Sequence, residues 1–234
     1  MKNLIIFGLF VIAMVMVQFA QAQTVDEIVD KYIAALGGKE KLMALKTIKM
    51  EGSLSTQGID ITLTSTRSHG IGMRVDFEAM GSSNYRVANT TKGAVFTPIM
   101  GMASPEDMPD DQFKSAINQM DLQGAFVNYK EKGTTIVLVG KETVEGSEAY
   151  NLKVTFKNGI VTNYYIDAKN SRIVKTTGKQ NMNGQEMDVS TTYSDYKQNA
   201  DGYWFPYSTT NMQGTIVYDK IQTNIPVDES IYKN

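Results

Sequence analysis

VTFKNGIVTNYYI, residues Val154–Ile166, decides how the chain is read. Two alternating runs flank Asn158-Gly159, and Asn-Gly between alternating runs is the strongest short-range signal of a two-residue hairpin turn. Read in that register, Lys157 pairs with Ile160, Phe156 with Val161, Val154 with Asn163 and Leu152 with Tyr165. One face then carries Leu152, Val154, Phe156, Val161 and Tyr165 and looks inward. Lys153, Thr155, Lys157, Thr162 and Tyr164 take the wet face.

The same period of two extends outward. Ile48, Met50 and Leu54 alternate with Lys49, Glu51 and Ser53; Ile59, Ile61 and Leu63 with Asp60, Thr62 and Thr64; Met73, Val75 and Phe77 with Arg74, Asp76 and Glu78. Such alternation marks half-buried antiparallel strands. Further runs lie near 84–90, 94–99, 134–144, 148–157, 160–167, 172–181, 186–196, 203–211 and 214–224. Glu145-Gly146, Asn183-Gly184, Asp201-Gly202 and Gln213-Gly214 punctuate them as turns. The fold class expected is mainly β with few helices.

Helical spacing interrupts the strands twice. In TVDEIVDKYIAALGGKEKLMAL, residues 24–45, Val25, Ile28, Val29, Tyr32, Ile33 and Leu36 form one apolar helix face. Thr24 and Glu27 make a capping box, and Gly37 suits the left-handed position that ends a helix. Gly37-Gly38-Lys39 is no phosphate loop: a helix precedes it, Ile33 holds the position where a Walker loop needs glycine, and Glu40 follows the lysine. It is a hinge before a second short helix.

The other interruption is PIMGMASPEDMPDDQFKSAINQMDLQG, residues 98–124. Ser104-Pro105-Glu106-Asp107 reads as a helix start, and Pro109 divides it from a second helix opened by Asp110 and Asp111. Phe113, Ile117 and Met120 line one side of that helix, with Gly124 as its stop. Met100, Met102, Met108 and Met120 cluster in the segment, and methionine adapts to irregular surfaces. The segment is therefore either a cover over a ligand or a helix completing an ordinary core.

At the N-terminus, Lys2 and the apolar run to Val17 precede Ala20-Gln21-Ala22, the pattern of a cleaved secretory signal, so the mature chain is expected to be a single domain, residues 23–234, beginning at Gln23. The chain has 0 Cys, which excludes disulfides, thiolate sites and lipidation on an N-terminal cysteine. With a formal net charge of −2 and no basic stripe, nucleic acid is not an expected partner. Enzymatic readings lack parts. His69 is the one histidine and falls in the turn Ser68-His69-Gly70, so no two-histidine zinc site exists. Glu106-Asp107 and Asp110-Asp111 sit at helix starts, where acids favour the dipole. Asn89-Thr90-Thr91 reads as a turn, and Tyr203-Trp204-Phe205-Pro206-Tyr207 as strand packing.

A long sheet with one apolar face and about three short helices leaves two solutions open. The sheet curls into a closed or partly closed barrel, or that face stays available to an apolar ligand. EIVDKYIAALGGKEKLMALKTIKMEGSL (27–54), YYIDAKNSRIVK (164–175), TTYSDYKQNADGYWFPYSTT (191–210) and TNIPVDESIY (223–232) resemble, in order and spacing, the LolA-like outer-membrane lipoprotein-sorting carriers.

The resemblance implies an unclosed antiparallel half-barrel of about eleven strands, with helices lidding a concave apolar face. It implies a periplasmic carrier without cofactor or catalysis. Lipoprotein acyl chains or lipid would come from an inner-membrane ABC release complex and pass to an outer-membrane acceptor. On that reading Ile61, Leu63, Leu152, Val154, Phe156, Val161 and Tyr165 line the lipid cavity. Met100, Met102, Met108, Phe113, Ile117 and Met120 form the lid. Carriers of the family hold the lid with an arginine at the end of an early strand; Arg67 in LTSTRSHG stands there, with Ser68 where a proline is usual. An envelope interaction protein with a filled core is the alternative.

Overall fold

The computed structural model describes residues 23–56, 59–182 and 185–233. The expected signal sequence and the expected Asn183-Gly184 turn lie outside the described residues. Among those described, thirteen strands form one antiparallel sheet: β1 (Thr47–Thr56), β2 (Ile59–Ser68), β3 (Gly72–Ala79), β4 (Ser82–Asn89), β5 (Gly93–Phe96), β6 (Glu106–Asp107), β7 (Thr135–Val144), β8 (Ser147–Thr155), β9 (Val161–Asp167), β10 (Ile173–Met182), β11 (Gln185–Gln198), β12 (Trp204–Asn211) and β13 (Gly214–Thr223). That is two more than the resemblance implied. The order β6-β5-β4-β3-β2-β1-β13-β12-β11-β10-β9-β8-β7 makes two meanders joined where β1 meets β13. β6 and β7 are the free edges, so the sheet is not closed.

Among the described residues three α-helices accompany the sheet: α1 (Val25–Ala35), α2 (Lys39–Met43) and α3 (Asp110–Gln119). The capping box of α1 is formed, with Glu27 N donating to Thr24 Oγ1 at 3.2 Å and Thr24 N donating to Glu27 Oε2 at 3.1 Å. Gly37 has φ +111°, as its helix-ending position requires. The helix start expected at Ser104 is absent. Glu106 and Asp107 instead pair with Val95 and Ala94 as β6. Pro109 biases Met108 toward extended backbone, and Met108 N donates to Gly93 O at 2.9 Å.

Curvature has identifiable sources. Register shifts leave an extra residue in β7 (Val139), β10 (Val174) and β13 (Asp219), and bulges bend and twist the strands that carry them. Beside the β13 bulge the chains approach closely. A Cβ on Gly52 would lie 2.3 Å from Val217 O, so only glycine fits there.

The Asn158-Gly159 hairpin differs from its expected register by one residue. Phe156 N donates to Ile160 O at 2.9 Å and Gly159 has φ +87°, which makes Lys157-Asn158-Gly159 a three-residue loop. Leu152 therefore pairs with Tyr164, Val154 with Thr162 and Thr155 with Val161. A slip of one residue turns every side chain of β9 over. Tyr164 and Ile166 face inward, Val161 is 40% exposed, and Tyr165 packs with Val144 and Ala149 on the outer face.

Because β6 and β7 are opposite edges, the chain between them has to cross the sheet. It does so over the concave face as α3. Phe113, Ala116, Ile117 and Met120 pack there on Met73 and Ala88. At the other end α1 lies over β8 and β9, where Ile28, Val29 and Phe126 bury Leu152, Val154 and Ile166. On the convex side the C-terminal turn Glu229–Tyr232 packs Tyr232 against Val87 and Ala94, and its hydroxyl lies 2.9 Å from Ser68 Oγ.

Candidate functional site

Between α1 and α3 the concave face carries a cavity of about 500 Å³. Its floor is Met50, Leu63, Ser65, Val75, Ile216 and Tyr218 from β1, β2, β3 and β13; Tyr164, Thr176, Thr191 and Tyr193 form one wall. Tyr32, Leu36, Leu42 and Leu45 close the α1–α2 end, and Gln119, Leu122 and Gln123 form a roof. The cavity shares Arg86, Gln119, Thr176 and Thr191 with a wider, more polar cleft of about 880 Å³ beneath α3.

The expected cavity residues divide. Leu63 lines the cavity, and Ile61 lies on the same face of β2 without reaching it. Leu152 and Val154 are fully buried beneath α1, and Phe156 packs beside them, so this row is core rather than ligand wall. The helix whose apolar face was evident from residue 25 onward has its partner surface here. Through the register slip Tyr165 moves to the outer face, and Val161 lines the wider cleft rather than this cavity.

The expected lid also divides. Met108, Phe113, Ile117 and Met120 face the sheet. Met100 is 81% exposed, and Met102 Sδ accepts from Thr97 N and Oγ1 at 3.2 and 2.8 Å, so both belong to an outer loop.

Arg67 lies on the concave face and lines the cavity, but among the described residues it makes no hydrogen bond to α3 or its flanks. Its Nη2 is 3.1 Å from Met50 Sδ, a weak acceptor, and its buried Nε has no partner. The hydrogen bonds to α3 expected of Arg67 come instead from the β8–β9 loop. Asn158 Nδ2 donates to Lys114 O and to Asn118 Oδ1, both at 3.0 Å. The roof is tied down separately: Gly70 N donates to Met120 O at 3.0 Å, and Leu122 N donates to His69 Nδ1 at 3.2 Å. Asp121 is ion-paired with Lys132 at 2.5 Å.

Electrostatics set the cavity apart from an ordinary core. Burial pulls the Arg67 guanidinium down from its ordinary value, opposed by Tyr218, Tyr193 and Tyr232 nearby. Burial pushes the phenols of Tyr32, Tyr164 and Tyr193 up, so they remain hydrogen-bond donors. Among the described residues no group of three His, Cys, Asp or Glu is arranged to hold a metal, and no helix is long and apolar enough to cross a membrane.

Comparison with solved structures agrees with this geometry. The LolA superfamily protein NE2245 from Nitrosomonas europaea superposes with a TM-score of 0.56 at 12% identity, over 91% of this chain and 99% of that one. The fold is LolA-like. A DUF1329 family protein from Desulfovibrio piger ATCC 29098 gives a TM-score of 0.55, also at 12% identity, over 89% of this chain and 97% of that one. No family model and no curated protein matches the sequence. The LolA-like sheet, open at β6 and β7 and crossed by α3, accounts for a cavity between helices rather than inside a closed barrel.

Sequence reasoning missed Arg86, Tyr193 and Tyr218. In Asn84-Tyr85-Arg86-Val87-Ala88 the apolar parity belongs to Tyr85 and Val87, which face the convex side under Tyr232. Arg86 is left on the concave face, and no local pattern distinguishes it from a solvated arginine.

Proposed function

We propose that the protein is a non-catalytic periplasmic carrier that takes acyl chains of lipoproteins, or of free lipid, into the concave cavity. It is secreted, cleaved before Gln23 and moves cargo toward the outer membrane. An inner-membrane ABC release complex is the donor and an outer-membrane acceptor the recipient. The observation that carries this reading is the unfilled cavity itself. Its volume of about 500 Å³ lies within the usual range for small-molecule sites, and Met50, Leu63, Val75 and Ile216 make most of its floor apolar. The LolA-like fold and the four sequence stretches that resemble lipoprotein-sorting carriers support the same reading.

One observation favours the other reading, an envelope interaction protein with a filled core: α1 and Phe126 bury Leu152, Val154 and Ile166 of β8 and β9. Organic extraction of protein purified from its native envelope, followed by mass spectrometry, separates the two. A carrier releases lipid in stoichiometric amount, and the stripped protein takes up a fluorescent acyl probe. A filled scaffold releases none and binds none.

A further inference from the structure

The chain has four arginines, and two of them are visibly partnered. Arg74 Nη2 meets Asp76 at 2.8 Å, and Arg172 stacks 3.9 Å above the Trp204 ring. The other two, Arg67 and Arg86, both line the concave cavity, and neither forms an ion pair among the described residues. Arg67 Nε is a buried donor with no acceptor. The carboxylates within reach of the space are otherwise engaged or outside it. Asp121 is held by Lys132 and Glu186 by Lys179; Asp111 and Asp188 are exposed along the wider cleft.

Register places the two arginines on one face of the sheet. Ser65 pairs with Val75 and Val75 with Arg86, while Arg67 pairs with Met73 one row along the same face. Two strand spacings and two residues of rise put their Cα atoms about 12 Å apart, with the Arg67 fork turned toward Met50 on β1. Arg67 is half-buried beside Met50, Leu63 and Ser65, and Arg86, next to Val75, is exposed where the cavity meets the wider cleft. An unpaired cation against apolar surface is costly unless something compensates it. A guanidinium fork is matched by the paired oxygens of a carboxylate or phosphate.

We propose that Arg67 and Arg86 form an anion-receiving centre within the cavity, and that the cargo is an amphiphile bearing a carboxylate or phosphate beside its acyl chain. The inference rests on the acyl-carrier reading and narrows it. The chain lies over Leu63 and Val75, and the anionic group is received by the Arg67 fork, whose Nε lacks an acceptor, with Arg86 lining the same space. Arg86, shared by the cavity and the wider cleft, meets the anion first on entry.

The test is calorimetric titration of the purified, lipid-stripped protein with dodecanoate, dodecyl phosphate and dodecanol below their micellar concentrations, and with acetate and inorganic phosphate. The proteins compared are wild type, Arg67→Met, Arg86→Met and the double variant, each checked by circular dichroism. Methionine keeps length and apolar contact without charge. The expected result is that both anionic amphiphiles bind at least about tenfold more tightly than dodecanol, that each single variant shrinks this preference, and that the double variant abolishes it. Acetate and phosphate bind far more weakly than either amphiphile. Equal binding of dodecanoate and dodecanol by wild type, or a preference that survives in the folded double variant, overturns the inference and leaves the carrier reading standing. Tight binding of acetate or phosphate alone overturns the amphiphile assignment. Failure of all three amphiphiles to bind removes the carrier reading, and this inference with it.

Discussion

Arg67 Nη2 lies 3.1 Å from Met50 Sδ, across adjacent strands on the floor of the cavity, while the helix above is held by other residues. The cation expected to fasten the cover faces the space beneath it. The fastening is Asn158, at the tip of the β8–β9 loop, against Lys114 O and Asn118.

Asn158→Ala is therefore expected to loosen α3. Hydrogen bonds of this kind contribute on the order of 1 kcal/mol each, so amide exchange across residues 110–120 should accelerate roughly tenfold or more. Arg67→Leu should leave that exchange unchanged in the absence of cargo. Hydrogen exchange read by mass spectrometry checks both; the opposite ranking would restore Arg67 as the latch.

Leu152→Ala and Val161→Ala should separate sharply. Leu152 is fully buried under α1, so its truncation is expected to cost about 2–5 kcal/mol. Val161 is 40% exposed on the other face, so its truncation should change stability by no more than about 0.5 kcal/mol. Urea denaturation of both variants measures this. Equal costs would mean that the two residues share one face, as the two-residue turn implies.

These two residues also show what the sequence carries and what it does not. Alternation announces strands because side-chain direction has a period of two, and all twelve runs that alternate are strands. The α1 capping box and apolar stripe are local, so both are legible. Register across Asn158-Gly159 depends on whether the loop holds two residues or three, and the dipeptide permits both. The identity of the surface that α1 covers is a tertiary fact. Leu152 and Val154 read equally well as ligand wall and as helix-packing core. Arg86 is hidden for a related reason: β4 is covered on both faces, by Tyr232 and by α3, so its parity does not name the functional side.

Stability in acid should depend on Asp26, in the first turn of α1. Its carboxylate accepts from Tyr129 Oη at 2.6 Å and from Lys130 Nζ at 2.9 Å, and these bonds hold its pKa below the ordinary 3.8. A carboxyl lowered by folding stabilises the fold above its unfolded pKa, and that contribution disappears as pH falls through the folded value. Asp26→Asn should accordingly be less stable than wild type near neutrality, with the difference narrowing below about pH 4. Thermal melts from pH 7 to pH 2 test this, and a gap that widens toward low pH would contradict it.

Photolabelling with a diazirine-bearing fatty acid, followed by peptide mapping, tests the central claim that acyl chains enter the space between α1 and α3. Adducts are predicted on cavity residues such as Leu63, Val75, Leu122 and Tyr218, saturable by unlabelled fatty acid, with none on Leu152 or Val154. Saturable labelling of the core row beneath α1, or labelling confined to exposed outer residues such as Val137, would contradict it.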